Sequence, residues 1–262
     1  MADSEGSRAD PHADNGSSSA PKRQAFIPLE NNPEVMTALV QKLGLSPSLA
    51  FHDVYSIDEP SLLEFVPRPV HALLLVFPVT TTYENSRRTE DGPLPEYSAS
   101  GSGEEVIWFR QTIRNACGMI GLLHSACNGG ARAMIAPSTD LATLVDNALP
   151  LDPAARAQLI ESSPSIARAH ASAAAQGDTA APAADEKIDL HFVAFVKSAE
   201  NNLWELDGRR KGPLNRGKLG DDDDVLAEKA LDLGVRRFLK RETEGEGDEL
   251  RFSLVALAPS MD

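Results

Sequence analysis

The first 24 residues are mostly Ser, Ala, Gly, Asp and Pro with almost nothing large and apolar, and hydrophobic periodicity begins only after them. Such a composition cannot offset its own ordering entropy, so it predicts a disordered tail over 1–24 ahead of one folded domain over 25–262. Phe26, Ile27 and Leu29 open the ordered part. Asn32-Pro33-Glu34 is a helix-start signal, with proline at the first helical position, for an amphipathic helix through Leu43 that stops at Gly44. Phe51 to Ser56 alternates as a short strand, and Ser61 to Phe65 accommodates one helical turn. Val70 to Val79 is a continuous apolar run, which predicts a strand buried on both faces at the centre of a sheet. Asn85 to Gly103 is rich in Ser, Arg, Glu and Gly with Pro93 and Pro95, the pattern of a mobile surface loop.

Trp108 and Phe109 restore hydrophobicity before Gln111 to His124, where Met119, Ile120, Leu122 and Leu123 mark the buried side of a helix interrupted only by Gly118 and Gly121. Asn115 is its expected cap and Cys117 lies at its start. Ser138 should cap a helix through Leu149, and Asp152-Pro153 another to about Ser162. Ser163 to Asp185 is dense in alanine with almost no large apolar residue, and is expected to be a long flexible loop, a rarity inside a compact domain that usually has a function. Ile188 to Val196 and Leu203 to Leu206 read as strands joined by a Ser198 to Asn202 loop, which places His191 and Asp207 at outer ends of neighbouring antiparallel strands. Asp221 to Asp224 precede an expected helix from Val225 to about Arg241, and Leu250 to Leu257 reads as a last strand.

Composition narrows the function classes. A formal charge of −14 over 262 residues argues against nonspecific binding to nucleic acid or to an anionic membrane, both of which need a Lys/Arg surplus, and favours a basic partner. The two cysteines, Cys117 and Cys127, lie about 15 Å apart along one helix and cannot pair. With so few cysteines, no signal-peptide pattern and no apolar run long enough for a bilayer, the chain is expected to be soluble and intracellular, cytoplasmic with the nucleus as a second compartment. A monomer is expected, though no residue pattern fixes the oligomeric state. No spacing of Cys, His or acidic residues calls for a metal, and no cofactor is expected.

Candidate chemistry centres on Cys117. A helix N-terminus attracts negative charge, as a thiolate nucleophile requires. Gln111, just upstream, and the Cys117 backbone N–H could donate to an oxyanion. Of six histidines, His12 and His170 lie in segments expected to be flexible, His52 and His71 lack an acidic partner at suggestive spacing, and His124 lies about 10 Å from Cys117 along the helix. His191 remains, with Asp207 across the hairpin. These residues alone equally allow Cys117 to be a small buried apolar residue and the four aspartates to be a helix N-terminus, leaving an α/β domain with candidate cysteine-hydrolase groups.

The motifs carry more than spacing. FIPLENNPEV with LGL behind it, QTIRNACGMIGLLH, DLHFVAFV followed by LWELDGRRKGP, and DELRF occur in the order in which they occur in ubiquitin C-terminal hydrolases. From about Phe26 to Leu257 the chain resembles that family, most closely its short, catalytic-domain-only members. The resemblance implies a papain-like α/β (α+β) fold, a central antiparallel sheet flanked by helices, with a knotted backbone. It assigns Cys117 as nucleophile, His191 as general base and acid, Asp207 as the carboxylate that orients His191, and Gln111 as oxyanion donor. It also implies that Pro28, Leu29, Glu30, Asn31, Asn32 and Pro33, together with Glu249, Leu250, Arg251, Phe252, Ser253 and Leu254, contact ubiquitin, with Leu29 and Phe252 as apolar contacts.

Ser163 to Asp185 matches the family's crossover loop over the active site, with 174–181 expected to touch ubiquitin and with a preference for small or short leaving groups. The activity implied is hydrolysis of amide, ester or thioester bonds after ubiquitin's C-terminal glycine. The alternatives are a ubiquitin-binding or ubiquitin-stabilising module with weak catalysis, and a hydrolase of a ubiquitin-like protein. The extended tail, the Asn85 to Gly103 segment and Asn128-Gly129-Gly130 depart from the family pattern without touching its motif residues.

Overall fold

The structure is a computed structural model that describes residues 25–177, 189–244 and 251–261. The predicted tail over 1–24 lies outside the described residues. Asn32 caps α1 (Pro33–Leu43), accepting from the backbone N–H of Glu34 and Val35, and Val35, Met36, Leu39, Val40 and Leu43 form its buried stripe. After it come β1 (Leu49–Asp53), α2 (Pro60–Leu63), β2 (Ala72–Pro78), α3 (Thr81–Asp91), α4 (Cys117–Ala126), α5 (Gly129–Arg132), α6 (Asp140–Ala148), α7 (Pro153–Glu161) and α8 (Pro164–Ala174). The remaining elements are β3 (Leu190–Lys197), β4 (Asn202–Leu206), β5 (Leu214–Lys218), α9 (Glu228–Leu233), α10 (Val235–Glu244) and β6 (Ser253–Pro259).

The strands form one sheet in the order β1-β6-β2-β3-β4-β5, antiparallel at every pairing. β2 is buried along its whole length because the sheet is covered on both sides. Ala72, Leu74 and Val76 enter a core with α1, α4 and α8, while Leu73, Leu75 and Phe77 enter a second core with Val225, Leu231 and Phe238. That is why its sequence reads as a continuous apolar run rather than an alternating one. Truncating a residue such as Leu74 to alanine would cost about 2–5 kcal/mol. The second core places α3 and α10 on the face opposite α4, and the site described below forms at the sheet end where the two layers meet.

Several expectations are corrected. Ser163 to Asp185 is not a loop throughout: Ser163 caps α8 by accepting from Ile166 N–H, and Ile166, Ala169, His170, Ala173 and Ala174 are buried. Small alanines let α8 lie close against α1, so the segment packs without large apolar residues. The remainder of the expected crossover, 178–185, lies outside the described residues, and with it half of the 174–181 stretch. Asn85 to Gly103 begins inside α3, which Thr80 caps and which buries Tyr83 and Asp91; ion pairs from Glu90 and Asp91 to the buried Arg210 replace the apolar stripe that its sequence lacks. The following stretch is also tied down, by Tyr97 N–H on Lys211 O and Tyr97 Oη on Glu104.

The single helix expected from Val225 is broken at Gly234 into α9 and α10, and Ala227, without a side-chain bond, stands at its start. The aspartates serve elsewhere: Asp224 accepts from Val70 N–H and pairs with Arg68, and Asp223 accepts from Gly220 N–H. Thr139, not Ser138, caps α6, while Asp152 caps α7 as expected. The first and last strands run over Leu49–Asp53 and Ser253–Pro259, each displaced from its expected span. Among the described residues, no helix is long and apolar enough to cross a membrane.

Candidate active site

Cys117 opens α4 and is half-buried. Asn115 does not cap the helix; it lies in the left-handed region with φ 58°, and Ala116 stands at the N-cap with no side-chain bond. The first backbone N–H groups of α4 therefore lack side-chain caps, so the Cys117 amide has no partner within its own helix. Gly121 accounts for one interruption of the helix pattern: a Cβ there would lie 2.7 Å from Leu74 Cδ1, so any other residue would require the Leu74 side chain to shift.

His191 comes from the start of β3, directly opposite Phe77 of β2. Asp207 follows β4, which pairs with β3, so the hairpin brings two residues far apart in sequence to one strand end. His191 Nε2 lies 2.7 Å from Asp207 Oδ1, and both residues are buried. An ionised carboxylate only accepts, so Nε2 carries the proton to Asp207, leaving Nδ1 as the ring nitrogen available to the Cys117 side chain, which lines the same cleft. Burial alone would lower the His191 pKa, but the Asp207 charge, its hydrogen bond and the Cys117 sulfur outweigh that and raise it to about 9. Burial likewise opposes ionisation of Asp207, yet the His191 charge and hydrogen bonds from His191, Tyr83 and Arg209 N–H hold its pKa well below the usual carboxylate range.

Gln111 is positioned by its own backbone N–H, which donates to Gly208 O at 2.9 Å. A Cβ at Gly208 would lie 3.1 Å from the Gln111 nitrogen, so glycine after Asp207 is what permits this approach. The Gln111 amide donates from Nε2 to Ile113 O at 3.3 Å, which leaves its second N–H for another acceptor. Cys117, His191 and Gln111 line one cleft of about 320 Å³, together with Pro28, Leu29 and Arg209. His124 is excluded as expected: it is fully buried, its Nε2 accepts from Phe109 N–H, and burial lowers its pKa to about 4. Among the described residues no cluster of His, Cys, Asp and Glu could hold a metal.

The other candidates divide. Pro28 and Leu29 reach the cleft, but Leu29 is only 6% exposed and packs onto α4 beside Gly118, so it builds the wall more than it offers apolar surface. Glu30, Asn31, Asn32 and Pro33 line a separate depression with Tyr55 and Phe65. Arg251 and Phe252 are exposed, Phe252 at 43%, whereas Ser253 is half-buried and Leu254 belongs to the second core. Glu249 and Leu250 lie outside the described residues.

A family model described as ubiquitin carboxyl-terminal hydrolase, family 1, matches residues 26–240. The chain belongs to that family. A probable ubiquitin carboxyl-terminal hydrolase of Dictyostelium discoideum is 35% identical over 232 residues, covering 88% of this chain and 87% of its own. The ubiquitin carboxyl-terminal hydrolase isozyme L1 of Rattus norvegicus is 35% identical over 230 residues, covering 88% and 96% respectively. The solved catalytic domain of Trichinella spiralis UCH37, bound to ubiquitin vinyl methyl ester, is similar with a TM-score of 0.68 at 22% identity, covering 90% of this chain and 95% of that one. The fold is the papain-like one that the motifs implied.

Sequence reasoning about this hydrolase missed the groups that hold Asp207. Tyr83 Oη donates to Asp207 Oδ2, Arg209 N–H to Oδ1 at 2.9 Å, and Trp108 Nε1 to the Asp207 carbonyl at 3.1 Å. Trp108 was legible as a large apolar residue before the Cys117 helix. Tyr83, inside a polar run, gave no such signal.

Proposed function

We propose that the chain is a deubiquitinating thiol hydrolase that cleaves amide, ester or thioester bonds after the C-terminal glycine of ubiquitin. The observation that carries the reading is the 2.7 Å contact of His191 with a buried Asp207, at a cleft that His191 and Cys117 line together. The reacting pair is the Cys117 thiolate and the His191 imidazolium. Cys117 Sγ attacks the glycine carbonyl carbon, and the Cys117 N–H and the Gln111 Nε2–H receive the developing oxyanion. His191 gives its proton to the leaving amine, alkoxide or thiolate as the C–N, C–O or C–S bond breaks, leaving a thioester on Cys117. His191, now neutral, takes a proton from water, whose oxygen attacks the thioester; the C–S bond breaks, ubiquitin leaves as the carboxylic acid, and the Cys117 thiolate and protonated His191 are restored. Asp207 keeps Nε2 protonated throughout, so Nδ1 remains the shuttling atom.

Ubiquitin as substrate and partner is supported by family membership and by a ubiquitin-derived ligand on a protein of the same fold. Its C-terminal tail carries arginines, to which a chain of net charge −14 is complementary. The preference for short leaving groups rests on the crossover expected over Ser163 to Asp185, of which 178–185 lie outside the described residues. The test is incubation with ubiquitin carrying a C-terminal electrophile: the wild type forms a covalent adduct and Cys117→Ala does not. Binding without adduct formation would point to the ubiquitin-binding module, and an adduct only with a ubiquitin-like probe would redirect the substrate.

A further inference from the structure

Tyr83 has no place in the mechanism above, yet it is 1% exposed and touches more of the catalytic surroundings than its position in a polar run foretells. It sits in the first turn of α3, where Thr80 Oγ1 accepts its backbone N–H at 2.9 Å. Thr80 in turn donates to Glu242 of α10 at 2.6 Å, which ties that helix start to the layer behind the sheet. The ring is packed edge-on against Phe77 at 4.9 Å between centroids, and Phe77 meets His191 edge-on at 5.7 Å. Phe238 of α10 closes the cluster from behind, and Arg209 and Arg241 each lie 6.0 Å from the centre of the Tyr83 ring.

The phenol, held on these sides, delivers its hydrogen bond to Asp207 Oδ2, while Oδ1 receives His191 Nε2–H and Arg209 N–H. The two carboxylate oxygens are thus bonded in different directions, and rotation about the Cβ–Cγ bond of Asp207 would break bonds on both. We propose that Tyr83 is a positioning residue for the hydrolase reaction, fixing the Asp207 carboxylate so that Oδ1 faces His191. Without the phenol a fully buried oxygen has lost its donor, and the carboxylate turns toward the remaining ones, Arg209 N–H among them, at the expense of the imidazole. The Tyr83 pKa is raised, by burial first and by the Asp207 charge next, so the phenol stays a donor over the working pH range.

This inference rests on the catalytic roles proposed for Cys117, His191 and Asp207, and the two fail separately. If Cys117→Ala retains activity, the roles are wrong; if it does not, Tyr83→Phe addresses the positioning alone, since it removes one oxygen and keeps the ring. Expected for Tyr83→Phe on a ubiquitin C-terminal amide are a kcat lower by roughly 10- to 100-fold, a KM within about twofold, and an alkaline limb of the pH profile displaced to lower pH. In an Asp207→Asn background the same substitution should change kcat by less than about twofold, because both act through one contact. Phe238→Leu, which loosens the cluster and keeps the phenol, should lower thermal stability with kcat within about twofold of wild type. The proposal is overturned by an unchanged kcat in Tyr83→Phe, by an alkaline limb that stays or moves up, by additive losses in the double variant, or by a Phe238→Leu kcat as low as that of Tyr83→Phe.

Discussion

On one side of the cleft, His191 and Asp207 are buried and held on nearly every polar atom: Asp207 accepts from His191, Tyr83 and Arg209 N–H, and its carbonyl accepts from Trp108. On the other side, Cys117 is half-buried and its sulfur lies 3.8 Å from the Leu190 carbonyl, while among the described residues the Gln111 amide makes one 3.3 Å bond and its Oε1 has no partner. The difference separates what must be ready in advance from what substrate completes. Proton transfer depends on a charge distribution that water would screen, so that half is dry and locked. The nucleophile and the oxyanion donors need a carbonyl between them, so they stay open with bonding capacity in reserve.

The largest test of this contrast is Cys117→Ala, which removes the open half's nucleophile. Steady-state assay on a ubiquitin C-terminal amide should show kcat/KM lower by at least about 10⁴-fold, with thermal stability close to wild type, since the side chain is half-buried and loses a single atom. Asp207→Asn breaks the locked half. Kinetics should show kcat lower by roughly 10²- to 10⁴-fold, and, unlike Cys117→Ala, thermal unfolding should show a stability loss. Activity at wild-type level would remove the carboxylate from the account.

Gln111→Ala belongs to the open half. Its kcat should fall by roughly 10²- to 10³-fold with the alkaline limb of the pH profile in place, because Gln111 does not touch His191; a displaced limb would show that the two halves are coupled. The wild-type limb follows from His191 itself. Its pKa is raised, so the proton needed by the leaving group is present at neutral pH and lost as pH rises through about 9, and kcat/KM should decline there. The stability contributed by the same ion pair has the same sign: it is complete below the ordinary value of 6.5 and disappears as pH rises through about 9. Thermal unfolding of wild type and Asp207→Asn should therefore converge over that window.

The smallest expected effect lies away from the cleft. Phe252→Ala removes an exposed ring from the surface that the family motifs assign to ubiquitin, and should raise KM by roughly 2- to 10-fold with kcat unchanged. Added salt should lower kcat/KM through KM as well, given the net charge of −14.

Much of the arrangement was legible in the residues. The run from Val70 to Val79 announced the doubly covered strand that β2 forms over Ala72–Pro78, and the turn between β3 and β4 fixed the proximity of His191 and Asp207. The helical spacing that eliminated His124 also held, since that side chain points into the core and bonds to Phe109. What could not be read depended on tertiary context. α8 is built from alanines whose burial becomes visible only when α1 lies against them. α3 replaces an apolar stripe with one ring and ion pairs to Arg210 and Arg216, partners more than a hundred residues away. Tyr83 belongs to the same class: its partner is fixed by sheet register and layer packing, neither of which leaves a local trace.

The most direct measurement is the titration of His191 by NMR in the substrate-free protein, with its ring resonance assigned by its loss in His191→Gln. A locked acid–base half predicts a midpoint near pH 9 that drops toward the ordinary value of 6.5 in Asp207→Asn. A wild-type midpoint at or below 6.5, unmoved by Asp207→Asn, would contradict the claim that this half is assembled and charged before substrate arrives.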